Sequence, residues 1–332
     1  MEVSKIRGGF KGEPNKLLLP LSLGVSSVAL LHILDHSFRT RLGNSGRSGY
    51  TLHLLFVDEI IEPDHDVNND MLQCLQQRFP SHSYSIIHLS DIFEYHGDEL
   101  NAAFEPQAEG QEQSPLSRSE RLKHLLSSIP SASSRSDLIA TLRRRLIYAF
   151  AQRHDCFGII YGDSTTRLAE RTLSETAKGR GGSLPWLTAD GTSPAGMKII
   201  YPVRDLLKKE LVLYTGLTQP PLTSLMRHDN PATGKPILSK NTTIDSLMTQ
   251  YFESVEQNYP SIVANVVRTS SRLVAPSLPT GSRLCSICGL LVEDTTQEWS
   301  GNQDAPSTAN ITNGKPIHAG SALCYGCIRA VG

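Results

Sequence analysis

Short apolar runs alternate with helix-period stretches through the first two-thirds of the chain. Lys16 to Leu21 reads as a short buried strand, and Ser26 to Asp35 behind it as a helix. Thr51 to Val57 gives a second strand ending at Asp58. A helix carrying Met71 to Phe79, starting near Pro63, follows it, and Ser83 to Leu89 alternates as a third strand. Phe157 to Tyr161 and Met197 to Tyr201 are the fourth and fifth. Strands separated by helices imply βαβ units and a mostly parallel five-stranded sheet.

The clearest helix is Asp137 to Arg153, whose apolar stripe is Leu138, Leu142, Leu146, Ala149 and Phe150. At about 100° per residue Arg144 falls opposite that stripe, with Arg143 and Arg145 on its two flanks. The three do not form one patch. Arg144 suits a solvated face, and Arg145, nearest the sheet, is the better candidate for site or interface work. Arg121 to Ser128, Thr243 to Tyr259 and Ser261 to Leu273 are further helices, the last two separated near Pro260. Residues 101–117 turn polar and read as a surface insertion. The pattern divides the chain into an N-terminal tail (1–15), an α/β domain (16–274), a Pro-rich linker (275–281) and a cysteine-bearing module (282–332).

Composition changes this picture little. The chain has 332 residues, 39% hydrophobic and 20% charged, so a sizeable core is feasible. A net charge of −1 gives no global basic field, and any RNA surface must be a local patch. With no apolar run of membrane-spanning length and no signal-like start, the chain reads as soluble and intracellular. Of six cysteines, Cys74 and Cys156 stand alone and read as small buried hydrophobes; the other four form two pairs near the C-terminus. Paired Cys-x-x-Cys in an intracellular chain points to metal or redox chemistry before disulfides.

A strand, a small-residue turn and a helix make a phosphate site in waiting, because the first helical N–H groups and the helix dipole favour an anion. Here the turn is Ser22-Leu23-Gly24-Val25-Ser26-Ser27, with Ser26 or Ser27 as a candidate cap. An ordinary capped turn has the same pattern. The segment Tyr161-Gly162-Asp163-Ser164-Thr165-Thr166-Arg167 follows the fourth strand, and in a parallel sheet it and the first loop can face one pocket. Asp163 or Ser164 is placed to cap the next helix, on which Glu170 and Arg171 read as surface ion-pairing residues. Lys178 and Arg180 then lie among glycines in a loop that reads as mobile and phosphate-seeking, or as a linker with incidental charges. Trp186 beyond it reads as a packing anchor or a base-stacking ring.

The first loop resembles the PP-loop, whose pattern is Ser-Gly-Gly-x-Asp-Ser. Leu23 stands where that pattern has a glycine and Ser26 where it has aspartate. Together with Tyr161 to Trp186 and Tyr201-Pro202-Val203-Arg204-Asp205-Leu206-Leu207-Lys208-Lys209-Glu210, it is similar to the cytoplasmic tRNA 2-thiolation protein 2 family over roughly Leu18 to Val331. The resemblance implies an adenine nucleotide α-hydrolase-like core and a role in 2-thiolation of a wobble uridine in cytosolic tRNA. Active relatives carry Gly-His-Asn-x-Asp-Asp after the fourth strand, where this chain has Gly162-Asp163-Ser164-Thr165-Thr166-Arg167. They also carry a cysteine pair at positions matching Ser136 and Ile139, and no cysteine lies between Phe157 and Leu284 here. The aspartate, the acidic pair and the cysteines are all absent, so adenylation and sulfur transfer by this chain are not expected.

The resemblance therefore implies a non-catalytic subunit. It would pair with a catalytic paralogue, contact tRNA, and be served indirectly by a ubiquitin-like thiocarboxylated sulfur carrier. An active ATP-dependent thiolase or amidotransferase, and a binding module on a retired nucleotide fold, are the other readings. The degenerate nucleotide site would comprise Ser22, Gly24, Ser26, Ser27, Asp58 and Asp163, with ATP binding doubtful. The tRNA candidates are Arg145, Arg167, Lys178 and Arg180. The family's N-terminal cysteine motifs are missing from this sequence, and no function is assigned to that region.

Cys285-Ser286-Ile287-Cys288 and Cys324-Tyr325-Gly326-Cys327 form two knuckles whose four thiolates suit a tetrahedral, structural zinc ion in a ribbon-like module. Their separation is longer than the usual ribbon spacing, with a polar stretch from Asp294 to Ser321 between. A redox pair, unmetallated thiols, or His318 as a substitute ligand are the alternatives. No iron–sulfur cluster is expected in this chain.

Overall fold

A run of consecutive leucines with alternating neighbours can only be buried on both faces, and that is where the first strand lies. In the computed structural model, which describes residues 14–59, 67–104, 116–129, 131–227, 242–275, 282–292 and 322–331, β1 (Asn15–Leu21) is the centre of the sheet. It pairs in parallel with β2 (Tyr50–Asp58) on one side and β4 (Gly158–Ile160) on the other. The full order is β3-β2-β1-β4-β6-β5, with β3 at Ser83–His88 and β6 at Lys198–Ile200. All five strands read from the sequence are present. The sixth, β5 (Gly191–Thr192), is a two-residue antiparallel edge against β6, too short to leave a periodic trace.

Helices cover both faces. Those read from the sequence are α1 (Val25–Ser45), α2 (Val67–Arg78), α4 (Arg118–Ser127), α5 (Ala132–Arg153), α9 (Ile244–Asn258) and α10 (Pro260–Ser270). The longest, α1 and α5, outrun the expected bounds. In α1 the extra turns beyond Asp35 are mostly polar and exposed, apart from Phe38 packed on the core, and end in the left-handed Gly46. In α5 the true cap is Ser131, whose side chain accepts from Ser134 N–H. The helix expected after Asp163 and Ser164 is α6 (Thr165–Ala177), and α3 (Ile92–Phe104), α7 (Leu184–Thr188), α8 (Lys208–Leu217) and α11 (Tyr325–Val331) complete the set among the described residues. Because α3 runs to Phe104, the polar insertion begins later than residue 101; 105–115 lie outside the described residues, as do 1–13, 276–281 and 293–321, the last including His318. Among the described residues no helix is long and apolar enough to cross a membrane.

The strand order reverses between β1 and β4. Chains of this class bind ligands outside the carboxyl ends of the strands at such a switch point. Here Gly162, just past β4, lies so close to the first turn of α1 that an added Cβ would stand 2.7 Å from Ser27 Cα. The first loop and the loop after β4 are therefore in contact, held there by the absence of a side chain.

The core also stores a pH sensitivity. His53 on β2 is buried, with its ring 5.4 Å from Phe150, and burial, with Lys16 and His154 nearby, lowers its pKa to about 4. His96 on α3 is likewise lowered to about 4, by burial and by Arg145. Both stay neutral in the native state at pH 5, whereas in the unfolded chain both are protonated below about 6.5. Stability is therefore full at pH 7 and falls as pH drops from 6.5 toward 4. The expected loss by pH 5 is on the order of 2 kcal/mol per histidine, read as a lower urea midpoint. His53→Gln should flatten that pH dependence, and an unchanged slope would contradict the assignment.

Candidate functional site

At the carboxyl ends of the strands lies a cavity of 230 Å³ between α5 and α6. Glu59 comes from the end of β2, Tyr161 from the end of β4 and Tyr201 from the end of β6. Helix α5 contributes Arg143, Arg144 and Tyr148, and α6 contributes Arg167, Glu170 and Arg171. Lys178 and Asp245 close one side. Most charges are paired. Arg143 meets Glu59, Arg167 meets Glu170 at 2.7 Å, Arg171 meets Asp163 at 2.7 Å, and Lys178 meets Asp245 at 2.7 Å. The Tyr161 and Tyr201 rings stack at 5.7 Å, and burial pushes both phenols up, so they are neutral donors.

Ser136 and Ile139, where the resemblance places a cysteine pair, both line this cavity. No thiol lines it. The residues present do not fit a thiolate or a cysteine-held cluster there, and the chemistry available is that of hydroxyls, guanidinium groups and carboxylates.

The first loop does not line the cavity. Its helix begins at Val25 with Gly24 as the cap residue, so neither Ser26 nor Ser27 caps it. Ser27 Oγ instead donates to the Gly24 carbonyl at 3.0 Å and lies 3.2 Å from Ser22 Oγ, which accepts from Gly24 N–H at 3.3 Å. Leu23 has φ 60, the left-handed conformation that glycine adopts freely. The loop takes at Leu23 a backbone shape natural to glycine while driving a side chain, 0% exposed, into the core cluster that also holds Val28 and Leu225. Leu23→Gly is expected to release about 1 kcal/mol of backbone strain but to lose about 3 kcal/mol of buried side chain. The net result is a protein about 2 kcal/mol less stable by urea unfolding, with no new ATP binding by dialysis. Asp58 lies apart, 3.7 Å from His88, and Asp163 is occupied by Arg171.

The four C-terminal cysteines converge. All four Sγ atoms lie within 4.8 Å of one another, and Cys288 and Cys324 are 3.7 Å apart. Four thiolates about one ion at roughly 2.3 Å sit at nearly that spacing. Hydrogen bonds from Cys288, Cys324 and Cys327 push the Cys285 thiol far down, while Cys288 and Cys327 are pushed up by bonding to it. Four buried or half-buried thiols this close together could hold a metal ion.

This centre is not a tethered appendage. Its residues Cys285, Ile287, Cys288, Leu290, Leu323 and Cys327 share one apolar cluster with α3, α4 and α5. Two buried guanidinium groups clamp it. Arg145 donates to the Ser286 carbonyl and to Glu99. Arg180, 4% exposed, forks onto Asp137 at 3.0 and 2.6 Å, reaches Glu175 at 3.2 Å, and stands 3.9 Å from Cys327 Sγ. Gly326 permits this approach, since a Cβ there would meet Arg180 Cγ at 2.6 Å. Burial alone would raise Asp137, but Arg180 and Lys178 outweigh it and hold the carboxylate below its ordinary range.

The tRNA candidates therefore separate. Arg145 and Arg180 are buried and bound to internal partners, Arg145 as an interface residue on α5, and neither offers a free guanidinium to RNA. Lys178 is 8% exposed and bridges Asp137 and Asp245. Only Arg167, 46% exposed, faces solvent. The stretch read as a mobile loop is ordered through α7, and Trp186 is a buried anchor. Glu170 and Arg171, read as surface residues, line the cavity instead. Ser164 caps α6 as one of the two expected candidates. Sequence reasoning missed Asp137, Glu175, Arg144 and Tyr148. The helical period placed Arg144 on the outer face of α5, and nothing in the sequence showed that α6 stands across a cavity from that face.

A model of the family described as cytoplasmic tRNA 2-thiolation protein 2 matches residues 243–329. A protein of that name from Phaeosphaeria nodorum is 43% identical over 99% of this chain and 85% of its own length. One from Sclerotinia sclerotiorum is 44% identical over 76% of this chain and 68% of its own. Among solved structures, the U34-tRNA thiolase NcsA from Methanococcus maripaludis, with its 4Fe-4S cluster, is 18% identical, with TM-score 0.54 over 86% of this chain and 84% of that one. At that identity the likeness is one of fold.

Proposed function

The chain belongs to the cytoplasmic tRNA 2-thiolation protein 2 family, and from that premise we propose that it is a non-catalytic subunit of a cytoplasmic tRNA-thiolating complex. The observation that carries this reading is the cavity itself. It occupies the ligand-binding end of a thiolase-like sheet, yet Ser136 and Ile139 stand where thiolates are needed and cations line its walls. The closed Ser22 to Ser27 loop supports the same reading, because Leu23 and Ser26 remove the glycine and the carboxylate that nucleotide activation uses.

On this reading a catalytic paralogue supplies adenylation and sulfur transfer, with sulfur arriving from a ubiquitin-like thiocarboxylated carrier. This chain completes the heterodimer and the tRNA surface, Arg167 being its best-exposed cavity cation. The four cysteines hold a structural zinc ion, whose four protein ligands leave no open position for substrate. The test is reconstitution: the two chains co-purified, and tRNA 2-thiolation measured with and without this one. The expected result is a stable complex and loss of thiolation when this chain is left out. Full-rate thiolation by the paralogue alone sinks the proposal, as does ATP-dependent pyrophosphate release by this chain alone.

A further inference from the structure

We propose that the cavity between α5 and α6 is a binding site for a phosphate ester, held by the Arg144 guanidinium and the Tyr161 hydroxyl and distinct from the Ser22 to Ser27 loop. Two groups in its wall lack partners. Among the described residues, Arg144 makes no ion pair and no hydrogen bond, although Arg143, Arg167, Arg171 and Lys178 around the same cavity each have a carboxylate. Among the described residues Tyr161 Oη is shielded from solvent and makes no full hydrogen bond, the Tyr148 phenol approaching it only loosely. A buried donor without an acceptor is costly, and natural proteins satisfy such groups with a ligand or water.

The two unsatisfied donors belong to one environment, since the charge of Arg144 acts on Tyr148, Tyr161 and Tyr201 together. The missing partner is thus an acceptor bearing negative charge. Further donors stand around it: the hydroxyl of Ser136 and the guanidinium of Arg171. Donors spread over several walls suit a tetrahedral oxyanion better than a flat carboxylate, and arginine forks match phosphate oxygens. The volume of 230 Å³ admits a phosphoryl group with part of its sugar. The same chemistry comes from two sources, a free mononucleotide or a backbone phosphate of RNA.

The test uses the full chain, dialysed against inorganic phosphate and AMP, and titrated with tRNA in a filter-binding assay. Arg144→Gln is expected to weaken binding about tenfold and Tyr161→Phe about fivefold, Arg144→Lys recovering part of the loss. Arg47→Gln, exposed before β2 at the opposite end of the sheet, should bind as the unaltered chain does. AMP binding without tRNA binding, both variants weakened, supports the mononucleotide source; tRNA binding weakened by both variants, without AMP binding, supports the RNA source. No binding of any of the three probes, or binding that neither variant changes, overturns the proposal. The phenylalanine variant keeps the ring stack, so its loss of binding does not reflect misfolding. An empty cavity together with intact co-purification would sink this site and leave the subunit reading standing.

Discussion

Arg180→Ala is expected to destabilise the protein by about 3–5 kcal/mol, the cost of breaking a buried ion pair and leaving its partner uncompensated. The partner is Asp137, at the start of α5, almost fully buried and bonded through both carboxylate oxygens. Lys178 remains on Asp137, which keeps the loss from rising further. Glu175 loses its buried cation at the same time, and Cys327 loses the guanidinium beside its sulfur. Urea unfolding at pH 7 measures the change. Arg180→Met combined with Asp137→Leu should recover part of the stability, because it removes the stranded Asp137 carboxylate, while Glu175 still lacks its cation. If Arg180→Ala costs under 1 kcal/mol, in the range of a surface pair, the clamp is not structural. That outcome would return Arg180 to the RNA-facing role its glycine-rich surroundings implied.

Why the sequence misled there is physical. Gly179, Gly181 and Gly182 around a cation have the composition of an open loop. Glycine also permits close approach of backbones, and that is its use here. Gly179 lies against the Tyr325 ring, where a Cβ would stand 2.5 Å away, and Gly326 lies against Arg180. Both contacts join segments about 147 residues apart in sequence, as the Arg180–Cys327 pair shows. No local pattern encodes them. The strands were legible because β1 and β2 are apolar runs bounded by turns, and their parallel pairing followed from the helices between them. The cysteine convergence was legible because thiolate pairs at that spacing have little other use. In the cavity only the losses were legible, at Ser136 and Ile139. The gains at Arg144 and Tyr161 were not, since each looks ordinary until α5 and β4 meet.

On the structural-zinc reading, removal of the metal by a strong chelator is expected to loosen far more than the C-terminal segment. A divalent ion on four thiolates leaves two net negative charges, and Arg145 and Arg180 are the two guanidinium groups held against them. Once the ion is gone and Cys288 and Cys327, whose thiols are pushed up, reprotonate, those cations lose part of the counter-charge that offsets their burial. Arg145 keeps Glu99, which is half in solvent, and Arg180 keeps Asp137 and Glu175. The weaker clamp is thus Arg145, so the 282–292 segment should detach first. Its apolar residues Ile287 and Leu290 would then be exposed, together with the faces of α4 and α5 they cover. The expected observations are one zinc per chain by elemental analysis, a fall in melting temperature of about 10 °C or more on chelation, and new protease cleavage between residues 275 and 292. Re-addition of zinc should reverse all three. Lys178 and Glu175 join this network to the cavity wall. Chelation should therefore also weaken phosphate-ester binding, though no cysteine touches that ligand's site. A chain that holds no metal yet melts at the same temperature with and without chelator would show instead that four thiols and two arginines suffice to seat the segment.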